Sequence, residues 1–148
     1  MTDGVQPPQH AQEIMHATCV AHAGSAVLIT GPSGSGKSAL ALQLIALGGK
    51  LVADDRTVLT CERGRVIARC PAPLAGIIEA RGVGILNAPT VSECPVALVV
   101  DLETVETDRL PPQRETTIMG QSVPLLHRVD QGHFPAAIFL HLASGRRA

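Results

Sequence analysis

Residues 26–38 read Ala-Val-Leu-Ile-Thr-Gly-Pro-Ser-Gly-Ser-Gly-Lys-Ser, and the fold turns on this stretch. An apolar strand (26–30) runs into a glycine-rich turn, and a helix opens at Lys37. Gly31-Pro32-Ser33-Gly34-Ser35-Gly36-Lys37-Ser38 fits the pattern G-x-x-x-x-G-K-[ST] throughout, in the strand-to-helix context that the pattern needs. Glycines permit positive φ and close backbone approach. Successive N–H groups can then converge on phosphate oxygens at the start of a helix. Lys37 is expected to reach the β- and γ-phosphates, and the Ser38 hydroxyl to ligate Mg²⁺. A ligand-free turn would account for the glycines but not for Lys-Ser immediately after them. Leu40, Ala41, Leu44, Ile45 and Leu47 recur at helical spacing, and Gly48-Gly49 ends the helix.

Working outward, residues 14–20 pair with 26–30 through a turn at Gly24-Ser25. Leu51-Val52-Ala53 is a short buried strand ending at Asp54-Asp55. Residues 57–61 and 65–69 flank Glu62-Arg63-Gly64, a hairpin signal. Residues 74–79 read as a helical turn, 81–84 as a loop and 85–86 as extended chain. Ala97–Val100 reads as a buried strand. The charged, proline-containing stretch 103–117 reads as surface loop, and 122–126 and 136–142 as the last strands. The expected architecture is a β-rich α/β domain with one long helix, after the phosphate loop. It occupies residues 14–143, between a flexible tail over 1–13 and a short tail over 144–148.

Composition narrows the function. A chain of 148 residues fits one core. With 45% hydrophobic and 17% charged residues it is globular rather than disordered. Two Phe and no Trp or Tyr leave an aliphatic core and no stacking platform for single-stranded nucleic acid. A formal charge of -1 supplies no field for a polyanion, so no nucleic-acid partner is expected. No apolar run approaches the roughly 18–20 residues of a membrane span. The N-terminus lacks the basic and apolar regions of a signal peptide. Cytoplasmic placement, with Cys19, Cys61, Cys70 and Cys94 reduced and mostly buried, follows as the expectation. None of these cysteines makes a Cys-x-x-Cys pair, and the six histidines show no metal-binding spacing.

A phosphate loop by itself implies phosphate binding and no reaction. Phosphoryl transfer also needs a carboxylate at the end of an apolar strand near the metal. Asp54-Asp55 after 51–53 and Asp101 after 97–100 both qualify, and the pattern does not separate them. A strand-end turn residue is the competing reading of Asp101.

Several segments resemble the HPr kinase/phosphorylase family, bacterial enzymes acting on a serine of the phosphocarrier HPr. Leu51-Val52-Ala53-Asp54-Asp55-Arg56 is similar to the family's L-V-A-D-D-R. Glu79-Ala80-Arg81-Gly82-Val83-Gly84-Ile85-Leu86-Asn87 is similar to its signature E-[IV]-R-G-[LV]-G-[IL]-[IL]-[DN]. His16 stands 21 residues before Lys37, where the family has a histidine, and Asp108-Arg109-Leu110 resembles its D-R-L segment. The likeness spans about residues 14–142 and looks like the short, catalytic-domain form of α-proteobacteria. It departs at Val123–Arg128, where the family's V-P-V-x-x-G-R-N is not matched and Arg128 is the candidate to replace its arginine, so phosphorylase activity and a hexamer stand as open expectations beside the kinase activity.

The resemblance implies a P-loop kinase domain of the HPr kinase/phosphorylase type, using ATP and Mg²⁺ on HPr or a related phosphocarrier. It implies Asp55 as the base for the serine hydroxyl and His16 as a group that contacts phosphate or orients Asp55. Glu79 would join Ser38 around Mg²⁺, with Asp54 in the metal shell. Arg81 and Arg109 would neutralise the transferring phosphoryl group, and Gly82 and Gly84 would let the signature loop approach it. A homo-oligomer is expected, hexameric in the family. A small-molecule P-loop kinase and a nucleotide-binding regulatory module without catalysis are the competing classes. The first needs a lid and acceptor domain that 148 residues scarcely hold. The second leaves Lys37, Asp55 and Glu79 unexplained.

Overall fold

The computed structural model describes residues 11–148. In chain order the strands and helices are β1 (Gln12–Met15), β2 (Ala17–His22), β3 (Ser25–Thr30), α1 (Lys37–Ala46), β4 (Lys50–Ala53), β5 (Thr57–Glu62), β6 (Arg65–Arg69), β7 (Ile77–Ala80), β8 (Gly84–Asn87), β9 (Glu93–Val105), β10 (Arg114–Ile118), β11 (Gln121–Arg128) and α2 (Phe134–Ser144). A 3-10 turn at Ala72–Leu74 precedes β7.

The central path of the main sheet runs β1-β5-β6-β9-β3-β2-β4, with β11 also against β9 and β10 against β11. Three of these strands are parallel: β3 beside β9 (Thr30 opposite Asp101) and β11 beside β9 (Leu126 opposite Val100). Their carboxyl ends therefore open on one side, where the phosphate loop leaves β3. The hairpin β7–β8 forms a separate two-stranded sheet.

Strand β3 shows why the centre is apolar throughout. Val27 and Ile29 face the helices, packing with Leu40, Leu44, Ile138 and Phe139. Ala26 and Leu28 face the other way, among Cys19, Leu59, Val66 and Val123. Both faces of the strand are covered, so it reads as a continuous hydrophobic run. Each fully buried Leu or Ile contributes about 1.5–3 kcal/mol relative to exposure. Both phenylalanines of the chain lie on α2 and are buried there. All four cysteines are free, with Cys19, Cys61 and Cys94 buried.

The structure departs from the sequence reading in four places. Residues 136–142 are helix, not strand, so the domain has a second long helix. Pro135 occupies the first turn, where no N–H is needed, and Phe134, Ile138, Phe139 and Leu142 share one buried side. Residues 103–117 are not one loop: β9 continues to Val105 and β10 begins at Arg114, with solvent-facing charges on paired strands. The segment 74–79 is mostly strand, because Gly76 at φ +80° turns the chain out of the 3-10 helix. Residues 12–13 belong to β1, paired with β5 (Gln12 opposite Thr60). The remainder of the tail expected over 1–13 lies, up to residue 10, outside the described residues.

Candidate active site

The phosphate loop is held by its own lysine. Lys37 Nζ donates to the carbonyls of Gly31 (2.8 Å) and Pro32 (3.2 Å), and Ser35 N–H donates back to the Pro32 carbonyl. Lys37 is buried, an unusual place for a lysine. Gly31 sits at φ +147°, and a Cβ there would lie 2.5 Å from Ser35 Oγ. Gly34 and Gly36 also take positive φ, the latter at the cap of α1. The need for glycine at these positions is conformational.

The strand-end carboxylates divide in the way the sequence left open. Asp54 lies against the phosphate loop: its Oδ1 accepts from Ser38 Oγ at 2.7 Å and from Thr18 Oγ1 at 3.1 Å. Its Oδ2 accepts from the Glu79 backbone N–H at 3.2 Å. Asp101 stands in β9 opposite Thr30, and its Oδ1 accepts from the N–H of Glu103 two residues on. That is a local turn contact, and Asp101 does not line the cleft formed beside Asp54.

Asp55 adopts φ +67° while Arg56 N–H bonds to the Asp54 carbonyl at 2.8 Å. This i to i+2 closure is a tight γ-turn, a rare and strained form for a residue with a side chain. Neighbouring bonds hold it. Asp55 N–H donates to Thr18 Oγ1, Ala17 N–H donates to the Asp55 carbonyl, and Thr57 Oγ1 donates to the Ala17 carbonyl. The turn thus sends Asp54 toward Ser38 and leaves the half-exposed Asp55 carboxylate 3.5 Å from His16 Nδ1. His16 occupies the break between β1 and β2. Burial, with the Asp54 charge as the smaller cause, raises the Cys70 thiol above its ordinary value.

A cleft of about 530 Å³ gathers Ser33, Gly34, Gly36, Lys37, Ser38, Asp54, Asp55, Glu79 and Arg81 along its walls. Glu79 is on β7 and exposed, and Arg81 opens the β7–β8 turn. Gly82 (φ +83°) and Gly84 (φ +144°) have no atom within 4 Å of a built Cβ. Their glycine character therefore serves the turn and not close packing. Arg109 lies on the exposed segment between β9 and β10 and is not part of the cleft wall.

Two features escaped the sequence reading. Thr18 is fully buried and its hydroxyl joins Asp54 to the Asp55 backbone, yet a threonine in an apolar strand carries no signal of that role. Glu106 gathers Arg114 (Nη2 at 3.1 Å) and the N–H groups of Thr107 and Asp108 at the base of the segment carrying Arg109. Arg114 and those N–H groups hold the Glu106 carboxyl below its ordinary value.

A glycine-rich strand-to-helix loop closed by a strand-end carboxylate defines a P-loop domain. Comparison with known proteins gives the particular family. The family model described as HPr Serine kinase C-terminal domain matches residues 9–138, and the chain belongs to this family. It is 40% identical over 129 residues to the HPr kinase/phosphorylase of Aromatoleum aromaticum, covering 78% of this chain and 41% of that protein. It is 37% identical over 123 residues to that of Limosilactobacillus reuteri, covering 74% and 38%. The chain spans about two-fifths of the length of these curated relatives. The solved structure of the HPr(Ser) kinase/phosphatase from Coxiella burnetii superposes with a TM-score of 0.72 at 29% identity. That match covers 86% of this chain and 91% of the other, so the fold expected from the resemblance is the fold observed.

Proposed function

We propose that this domain is a protein-serine kinase that moves the γ-phosphoryl group of ATP, with Mg²⁺, onto a serine of HPr or a related phosphocarrier. The observation that carries the reading is the 2.7 Å contact between Ser38 Oγ and Asp54 Oδ1, with Asp55 beside it on one cleft wall. It joins the phosphate loop to a pair of carboxylates that divide the work. The names of the relatives support the acceptor.

The donor set fits Mg²⁺. Ser38 and Asp54 offer hard oxygen atoms in contact, and Glu79 adds a carboxylate on the same cleft. When bound, the ion offsets charge on the phosphates. Lys37 exchanges its carbonyl partners for phosphate oxygens. Asp55 accepts the proton of the serine hydroxyl, which is a poor nucleophile without a base in hydrogen-bond reach. His16 holds the Asp55 carboxylate in place. Arg81 faces the transferring group, where fixed positive charge favours the transition state. Arg109 joins them on approach of its segment, and Gly82 and Gly84 shape the loop beneath.

Copies of the domain associate in this reading, widening the docking surface for a protein acceptor. Exposed Val83, Ile85 and Leu110 support it. Sedimentation at micromolar concentration reads the assembly, and a monomer that phosphorylates HPr efficiently would overturn it. The reaction belongs in the cytoplasm with its acceptor, and no helix among the described residues is long and apolar enough to cross a membrane.

The test is transfer of label from γ-labelled ATP to purified HPr, with and without Mg²⁺. Label on an HPr serine, dependent on Mg²⁺, is expected. Label only on small-molecule hydroxyl acceptors, or nucleotide binding without transfer, would overturn the proposal.

A further inference from the structure

Strand β2 is buried from Ala17 to Ala21, and it carries a hydroxyl in the middle of that run: Thr18 is fully buried. A buried hydroxyl is costly unless it is bonded. Both of its bonds go to the strand-end pair. Thr18 Oγ1 accepts from the Asp55 N–H at 3.1 Å and donates to Asp54 Oδ1 at 3.1 Å. A carboxylate only accepts and a backbone N–H only donates, so the direction of each bond is fixed. We propose that Thr18 is a positioning residue for phosphoryl transfer: its hydroxyl holds the Asp55 carboxylate in the place from which it takes the acceptor proton. The proposal rests on the kinase reading above and goes one residue beyond it.

Three features carry this. First, Asp55 stands at φ +67°, a conformation that a residue with a side chain keeps only when its surroundings impose it. A return to negative φ would swing Cβ, and the carboxylate with it, out of its present direction. Second, two successive residues of β2 clamp the Asp55 backbone. Thr18 takes its N–H, and the Ala17 N–H donates to its carbonyl at 3.1 Å. His16 is the other group beside the carboxylate, and its side chain is 68% exposed. An exposed ring restrains loosely, whereas a buried hydroxyl on a central strand is held by its own packing. Third, the same hydroxyl links Asp55 to Asp54, and Asp54 Oδ1 also accepts from Ser38 Oγ. One oxygen thus sets the distance between the base and the carboxylate that meets the phosphate loop. Without Thr18, Asp54 keeps its bonds from Ser38 and from the Glu79 N–H. The hydroxyl therefore acts on transfer and not on nucleotide binding.

The experiment measures kcat for transfer to HPr and the Kd for MgATP in the wild type, Thr18→Val, Thr18→Ser, Asp55→Asn and the double variant Thr18→Val with Asp55→Asn. Thermal melting checks each one. Valine keeps the branched shape without the hydroxyl. A misplacement of about 1 Å can lower a rate about 10²-fold, and a fall of about that size in kcat is expected for Thr18→Val. Its Kd for MgATP should stay within a few fold of wild type. Thr18→Ser, which keeps the hydroxyl, should retain most of the transfer. In the double variant kcat should fall no further than in Asp55→Asn, because a residue acting through Asp55 has nothing left to position. Wild-type kcat in Thr18→Val, equal loss in the serine and valine variants, a loss confined to MgATP binding, or losses that multiply in the double variant would each overturn the role. Should Thr18→Val not fold, amide exchange in the wild type decides: a protected Asp55 N–H is expected, and rapid exchange there would overturn it. A wild-type chain that binds MgATP and leaves HPr unlabelled would overturn the kinase reading, and this role with it.

Discussion

The two walls of the Asp54 cleft are built differently. At the end of β4, Asp54 accepts three hydrogen bonds, from Ser38, Thr18 and the Glu79 N–H, and the Asp55 turn is tied back to β2. Across from it, the β7–β8 hairpin is a two-stranded sheet of its own, with Val83 75% and Ile85 70% exposed. A lone hairpin is marginal in water, so its order depends on Ile78 and Ala80, which are buried. The contrast separates two tasks. In the proposed function the phosphates and two of the metal's oxygen donors, from Ser38 and Asp54, are held by the core wall, and the hairpin adds Glu79. The wall carrying Arg81 and Val83 is exposed, and in the proposed function a protein acceptor would approach it to within about 3–3.5 Å of the reacting phosphorus.

The largest expected effect breaks the preorganised wall. Lys37→Ala should reduce nucleotide-dependent transfer to background, because the phosphates lose their cation. It also removes the bonds to the Gly31 and Pro32 carbonyls, each of the charged-donor kind worth about 1.5–3 kcal/mol net. A fall in melting temperature is therefore expected, and calorimetry checks it. Wild-type transfer by this variant would show that the loop does not hold the donor.

A second comparison uses two glycines. A Cβ at Gly49 would lie 2.7 Å from Phe139 Cζ and 2.8 Å from Val20 Cγ1, where α1, α2 and β2 meet. Gly49→Ala should cost about 1–3 kcal/mol of stability by overpacking. Gly82→Ala on the hairpin meets no atom and pays only for its positive φ, roughly 1–2 kcal/mol. Urea unfolding should show the first variant destabilised globally. Proteolysis should show the second loosened at the hairpin with the core intact. Equal global loss in both would mean that the hairpin is as much a part of the core as α1.

The smallest effect concerns pH. The Arg114 guanidinium, then the Asp108 N–H, hold the Glu106 carboxyl below its ordinary value. A carboxyl with a lowered pKa in the folded state adds stability above its unfolded pKa. That stability is lost as pH falls through the folded value. Melting curves of the wild type and Glu106→Gln should converge as the solution is acidified below the ordinary carboxylate range. At neutral pH the wild type should be the more stable. A gap independent of pH would show that the pair contributes shape rather than charge.

Much of the site was legible because it is local in sequence. Residues 31–38 form one continuous loop running into a helix start, so spacing alone exposes them. Asp54-Asp55 sits at the end of a short apolar strand; the strand-end pattern alone did not separate it from Asp101, the resemblance of 51–56 to L-V-A-D-D-R favoured it, and the contact of Asp54 with Ser38 agrees with that choice. Thr18 was hidden because its partner lies 36 residues away. Helix α2 was misread because Ala136–Leu142 is apolar enough for a buried strand. Only the shared burial of Phe134, Ile138, Phe139 and Leu142 reveals its period. Glu79 fell in the helical turn expected over 74–79, whereas the 3-10 turn ends at Leu74 and Glu79 lies on β7.

The most direct test of the account measures MgATP binding and phosphoryl transfer to HPr side by side in Asp55→Asn. The amide keeps the shape of the carboxylate, and asparagine tolerates the φ +67° turn, but it cannot take the serine proton. The account predicts MgATP affinity within a few fold of wild type and transfer reduced by about 10²–10⁴-fold. Full transfer by Asp55→Asn, with loss only in Asp101→Asn, would contradict it.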